Sequence, residues 1–199
     1  MKNIIKNIFL GGALAAMLMS CDMNLTPSNS IVFEEDEPIL LSKNDVIAVY
    51  NGVLASYRAV QYGSFTQSTE VMCDGFNATI GFGNNYGSIH RTDASFTTSD
   101  SYAETMWASH YAAIKNYNIA IDQASLVTDE ALVPYAELLK GVALYCRASS
   151  YLTLARHFGP AFDEYTASED LCVPLVLKFD LYEKPARATV QEVYDRILW

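Results

Sequence analysis

Few residues of this 199-residue chain have the spacing that catalysis requires. His90, His110 and His157 are scattered, without the His-Glu-x-x-His pattern or nearby cysteine of a zinc site or an activated nucleophile. Two acidic pairs, Asp163-Glu164 and Glu169-Asp170, resemble a glycosidase pair, but they lie in a polar connector with no apolar surroundings to keep one carboxyl group protonated. The sequence therefore predicts a protein that is not an enzyme and has neither a metal site nor a cofactor.

A glycine-rich segment, residues 81–87, has some features of a nucleotide-binding loop. Its third glycine comes one position late and no apolar strand precedes it, so we reject a dinucleotide site. The formal net charge of the chain is -10, and a body of this charge repels nucleic acid and anionic lipid. Nucleic acid is therefore excluded as a partner.

The first twenty residues are typical of a bacterial export signal. Lys2 and Lys6 precede an uncharged apolar stretch, residues 8–19, that is too short to cross a bilayer as a stable helix. Leu18-Met19-Ser20-Cys21 then resembles the lipobox of bacterial lipoproteins. That resemblance implies cleavage before Cys21 and its acylation with fatty acids such as palmitate, which would hold the protein on a membrane. An ordinary secretory leader is the alternative.

Residues 21–40 form a polar, acidic stretch that we interpret as the lipidated tether, and residues 41–199 are the predicted folded domain. The other cysteines have no Cys-x-x-Cys spacing and cannot all pair within the chain, so we expect small core residues at Cys73, Cys146 and Cys172.

Capping pairs and 3.6-residue periodicity predict four helices in that domain. Ser42 with Asp45 opens the first, Ser101 with Glu104 the second, and Thr189 with Glu192 the last. The first helix is expected over about 43–60, the second over 101–125 and the last from 190 onward. A third helix, between the second and the last, is expected from 128–129 to 158. The third helix should direct these side chains inward: Leu138, Leu139, Val142, Tyr145, Cys146, Leu152 and Ala155.

The second and third helices are joined by few residues and should pack as an antiparallel hairpin, the unit of tetratricopeptide-like arrays. Residues 61–101 show no helical pattern and are expected to form a long ordered loop, which is uncommon unless it is functional. Residues 171–179 are expected to be extended. The predicted fold class is mainly α, with tetratricopeptide-like helical hairpins and long irregular loops.

Several segments, in this order, resemble the N-terminal portion of the SusD/RagB family of outer-membrane nutrient-binding lipoproteins. Besides the lipobox they are residues 45–52, residues 107–120, the sequence RASSYLTLARHFG at 147–159, and residues 185–194. Members of that family are usually more than twice as long, so the helical domain is expected to be incomplete at its C-terminus.

The resemblance implies a lipoprotein of the outer membrane that faces the cell exterior. Such a protein covers a SusC-like TonB-dependent transporter and delivers oligosaccharides or peptides to it. In the family the loop before the tryptophan-containing helix commonly contributes to ligand binding, and aromatic rings and amides suit sugars. The ligand-binding residues implied here are Phe76, Asn77, Phe82, Asn84, Asn85 and Tyr86.

Two alternatives stay open from the sequence. One is a RagB-like protein that captures peptides, for which the acidic charge would favour basic ones. The other is a helical-repeat scaffold lipoprotein that binds only protein partners.

Overall fold

The structure, a computed structural model, describes residues 38–73, 76, 86–91, 101–180 and 182–198. The predicted leader, Cys21 and nearly all of the tether lie outside the described residues. The described part is mainly α, as predicted. Its elements are helices α1 (Lys43–Gln61), α2 (Ser64–Met72), α3 (Gly87–Arg91), α4 (Ser101–Ser125), α5 (Val133–Phe158) and α6 (Val190–Leu198), and strands β1 (Leu171–Pro174) and β2 (Arg187–Thr189).

Helix α1 begins where its capping pair predicts. The backbone N–H of Asp45 donates to Ser42 Oγ at 3.3 Å, and Ser42 Oγ donates to Asp45 Oδ2 at 2.7 Å. Val46, Val53 and Val60 recur every seventh position and are buried, so one stripe of α1 faces the core.

Helices α4 and α5 form the predicted hairpin, and α1 packs against both. Helix α5 begins at Val133, so the predicted start at Thr128 and Asp129 is wrong. The Asp129 carbonyl accepts from the N–H groups of Leu132 and Val133, both at 2.9 Å, which makes a turn rather than a helix. Pro134 then occupies the first helical turn, where its missing N–H costs nothing.

The buried face of α5 is only partly the predicted one. Leu139, Cys146 and Ala155 are buried, but Leu138 is 60% and Tyr145 65% exposed. Ala136, Ala143 and Ser150 are buried instead, because small side chains let α4 and α5 approach closely. Position 138 lies about 100° around the helix from 139, which turns its side chain away from that contact.

Two short helices, α2 and α3, occupy part of the segment for which no helix was predicted. Gly63 precedes α2 with φ of 79°, a left-handed conformation that favours glycine. Helix α2 is rich in Ser and Thr, which have low helix propensity, so tertiary contacts rather than local preference stabilise it.

Strands β1 and β2 pair antiparallel, Leu171 opposite Thr189 and Pro174 opposite Arg187. The predicted capping pair at α6 is confirmed. The Thr189 N–H donates to Glu192 Oε2 at 2.8 Å, and the Glu192 N–H donates to Thr189 Oγ1 at 3.2 Å. The extended run expected at 171–179 is a strand only to residue 174.

Two of the three cysteines are buried as predicted, and one is not. Burial raises the pKa of the Cys146 thiol to about 11 and also raises that of Cys172, so both are inert packing residues. Cys73 is exposed at the end of α2, a helix that the sequence did not predict. Among the described helices, none combines the length and the apolarity needed to cross a membrane.

Candidate functional site

Two of the six predicted ligand-binding residues, Phe76 and Tyr86, are described. Phe76 is 63% exposed, and the half-buried Tyr86 donates its hydroxyl hydrogen to Gln67 Oε1 of α2 at 3.0 Å. The other four, Asn77, Phe82, Asn84 and Asn85, lie outside the described residues. We call the region of Gln67, Phe76 and Tyr86 the α2–α3 surface. No pattern in the sequence indicates the contact of Gln67 with Tyr86, because an isolated glutamine belongs to no spacing motif.

Polar contacts and buried apolar side chains hold helix α3 against α2. His90 Nδ1, as an N–H, donates to the Val71 carbonyl at 3.1 Å, and the His90 N–H donates to the Tyr86 carbonyl at 2.9 Å. Val71 and Ile89 are buried. These contacts hold α3, and Tyr86 just before it, against α2.

A cavity of about 240 Å³ adjoins α2. Its lining comes from four helices: Val60 and Gln61 of α1, Phe65, Thr66, Thr69 and Glu70 of α2, Met106 of α4, and Thr153, Arg156 and His157 of α5. His157 Nδ1 donates to the Thr153 carbonyl at 2.8 Å, and Nε2 lies 3.4 Å from Thr69 Oγ1.

The segment with the most specific family resemblance, residues 147–159, performs a structural task. Its Tyr151 hydroxyl accepts from the N–H of Val176 at 2.7 Å and donates to the Val176 carbonyl at 2.8 Å. Buried Arg147 donates to Asn118 Oδ1 at 2.9 Å, and Asn118 Nδ2 donates to the same Val176 carbonyl at 2.9 Å. The Tyr111 hydroxyl donates a hydrogen bond to the Pro174 carbonyl at 2.8 Å. Side chains of α4 and α5 thus satisfy the backbone of the extended segment after β1.

Arg147 and Tyr151 also line a second cavity, of about 250 Å³, between α5 and α6. Desolvation lowers the pKa of Arg147, and nearby Arg196 lowers it further, while Tyr151 and Asp122 oppose that change. Because Arg147 is committed to Asn118 and to the Leu177 carbonyl at 3.3 Å, we interpret this cavity as part of the framework.

Among the residues that the structure describes, the titratable groups show no arrangement for acid–base chemistry. His110 is fully buried against Phe65, and neither ring nitrogen has a hydrogen-bond partner among the described residues. Desolvation, with a smaller contribution from nearby His157, lowers the pKa of His110 to about 4, so it is neutral at pH 7.

The predicted acidic pairs lie in an exposed turn. The Asp163 carboxylate accepts a hydrogen bond from the Tyr165 N–H at 2.9 Å, and the Asp170 carboxylate accepts one from the Thr166 hydroxyl at 2.6 Å. These two carboxylates therefore stabilise the turn. Within the described ranges, no three His, Cys, Asp or Glu side chains are grouped to hold a metal.

The chain is similar to a known protein family and to solved protein structures. A SusD-like family, described as starch-binding and associating with the outer membrane, matches residues 28–199. A search of curated proteins found no match. The structure is similar to a SusD superfamily protein from Bacteroides thetaiotaomicron, with a TM-score of 0.62, 23% identity, and coverage of 78% of this chain and 35% of that one.

A second similar structure is a protein from Bacteroides vulgatus that is provisionally assigned to sugar binding. Its TM-score is 0.61 at 27% identity, with coverage of 83% of this chain and 36% of that one. The chain therefore spans 35% and 36% of the lengths of these two proteins.

Proposed function

Because this chain belongs to the SusD-like family, described as starch-binding and associating with the outer membrane, we propose that it captures glycans and delivers them to a SusC-like TonB-dependent transporter. The observation that carries the proposal is the family match over residues 28–199. The similarity to a protein provisionally assigned to sugar binding supports the ligand class.

The glycan is proposed to bind at the α2–α3 surface and the adjoining loop. Sugars present apolar C–H faces that stack on aromatic rings, and their hydroxyl groups pair with amides. Phe76 supplies an exposed ring and Tyr86 a ring held in place by Gln67. Phe82 would add a further ring in this proposal, and Asn77, Asn84 and Asn85 the amides.

Attachment to the outer membrane is proposed to depend on acylation of Cys21 after removal of residues 1–20. The polar stretch 21–40 would then be a tether that lets the helical domain reach a transporter while facing the cell exterior. Because the chain spans about a third of the length of each of these two solved proteins, we propose that residues 41–199 are the N-terminal part of a larger helical domain.

Replacing Cys21 with alanine tests this attachment. The wild-type protein should carry fatty acyl chains by mass spectrometry, sediment with outer membranes, be removed from intact cells by external protease, and co-purify with a TonB-dependent transporter. The Cys21→Ala variant should lose the lipid and leave the membrane fraction. The exposed Cys73 offers a matched control, because Cys73→Ala should keep both. A wild-type protein without lipid on residue 21 would contradict the proposed anchor.

A further inference from the structure

Helix α5 carries two apolar stripes, of which the described part of the fold buries one. The buried stripe includes Leu139, Ala143 and Cys146. The second stripe, which we call the outer seam, lies on the opposite side of the helix and consists of Leu138, Gly141, Tyr145, Ala148 and Leu152. Leu138 is 60% and Tyr145 65% exposed, whereas the outer side of a surface helix is normally polar.

The spacing of the outer seam fits a helix as its partner. Its intervals of three and four residues alternate and repeat every seventh position, the spacing at which one helix packs along another. Four residues at positions i, i+3, i+4 and i+7 outline a hole that can receive a side chain of a facing helix. In α5 these are Leu138, Gly141, Val142 and Tyr145.

Gly141 keeps this hole open. A Cβ built at position 141 meets nothing within 4 Å, so space is available above the glycine. Glycine is unfavourable inside a helix, and no contact of the described fold requires it here. A large side chain from a partner helix, entering between Leu138 and Tyr145, would account for the glycine.

Positive groups border both ends of the outer seam. At one end, Lys43 Nζ of α1 donates to the Tyr135 hydroxyl at 2.9 Å and lies 4.3 Å from the centre of that ring. At the other end, Arg196 of α6 lines the cavity between α5 and α6 together with Tyr145. Glu137, exposed on the outer side of α5, opposes them with one negative charge.

These charges indicate which kind of helix fits. At physiological ionic strength, charges farther away than about 8 Å are largely screened, so the cations beside the seam outweigh the net charge of -10 on the chain. Carboxylates on the flanks of a partner helix would be attracted to Lys43 and Arg196. A second copy of this chain is disfavoured, because two acidic bodies repel each other over the broad contact that they would share.

We propose that the outer seam of α5 binds an amphipathic helix of another protein, with apolar side chains at intervals of three and four residues and Asp or Glu on its flanks. One large apolar side chain of that helix would enter the hole above Gly141. The outer seam is separate from the α2–α3 surface, and the proposal does not depend on glycan capture.

Isothermal titration of the full chain tests this proposal with a synthetic three-heptad peptide that has leucine at positions a and d and glutamate at e and g. A second peptide carries lysine in place of those glutamates. A third has the composition of the first in an order that destroys the leucine spacing. The glutamate peptide should bind about tenfold more tightly than either of the others.

Two variants of the chain locate the binding surface. Leu138→Glu places a charge on the seam and should weaken binding of the glutamate peptide about tenfold. Gly141→Leu fills the hole and should weaken binding by a similar factor, while the open space around position 141 lets the variant fold. Met72→Glu, at an exposed apolar residue of α2, is the matched control and should not change the affinity.

Thermal unfolding of each variant establishes that it is folded, and Gly141→Leu decides the question if Leu138→Glu is not. Sedimentation equilibrium of the wild type tests a second copy as the occupant, and a dimer that Gly141→Leu dissociates would overturn the proposal. Failure of the glutamate peptide to bind would also overturn it. So would equal binding of the lysine peptide or the reordered peptide, or an equal loss in Gly141→Leu and Met72→Glu.

Discussion

Replacing Gly159 with alanine should lower the free energy of unfolding by about 1–3 kcal/mol, the range for overpacking a filled core. A Cβ at position 159 would lie 2.5 Å from Cys172 Sγ and 2.8 Å from the Ala155 carbonyl oxygen. The carbonyl cannot easily move, because it accepts the Gly159 N–H at 2.9 Å at the end of α5. The backbone of Gly159 has φ of -103°, which any residue adopts, so the strain arises from lack of space alone. Denaturant unfolding should show an earlier midpoint with an unchanged slope.

Gly141, inside the helix that Gly159 terminates, provides the control. A Cβ built there meets nothing within 4 Å, and alanine is favoured over glycine inside a helix by up to about 1 kcal/mol. Gly141→Ala should therefore leave stability unchanged or raise it. Equal stability of the Gly159→Ala variant and the wild type would show that β1 is not packed against the end of α5 as described.

Replacing Tyr151 with phenylalanine should cost about 1–3 kcal/mol, the penalty for leaving a buried polar group without its partner. The change removes one oxygen and preserves the ring. It leaves the Val176 N–H without its acceptor at 2.7 Å, while the Val176 carbonyl keeps its bond from Asn118 at 2.9 Å. Denaturant unfolding measures the loss of stability, and hydrogen exchange should show faster exchange of the Val176 amide.

Tyr165 is 86% exposed, so Tyr165→Phe should change stability by less than about 0.5 kcal/mol and serves as the control. Undiminished protection of the Val176 amide in Tyr151→Phe would mean that the hydroxyl does not hold the extended segment. The family-like sequence around Tyr151 would then need a different explanation.

Helix ends were predictable wherever local chemistry determines them. Ser42 with Asp45 and Thr189 with Glu192 mark the starts of α1 and α6, because the capping bonds join residues three apart. The start of α5 was misplaced because Asp129 makes a turn bond with the same side-chain chemistry. Local pattern could not distinguish a cap from a turn.

Features that depend on long-range packing were not predictable from one sequence. Helix α2 has weak propensity, and Tyr145 follows the helical period of the core yet is 65% exposed. The side chains of Thr69 and His157 meet at 3.4 Å although they are 88 positions apart, which no spacing rule reveals. The ligand-binding role of Phe76 and Tyr86 stays a prediction from family resemblance, and the bond between Tyr86 and Gln67 is visible only in the structure.

Glycan capture, the central claim, is tested most directly by affinity electrophoresis of the full chain in gels containing starch and a panel of other neutral polysaccharides. The account predicts retardation by at least one polysaccharide. Tyr86→Ala and Phe82→Ala should restore free mobility, whereas Tyr165→Ala, at an exposed ring outside the α2–α3 surface, should not. Free migration of the folded wild-type protein in every gel would contradict glycan capture, and peptide binding in its place would favour the RagB-like alternative.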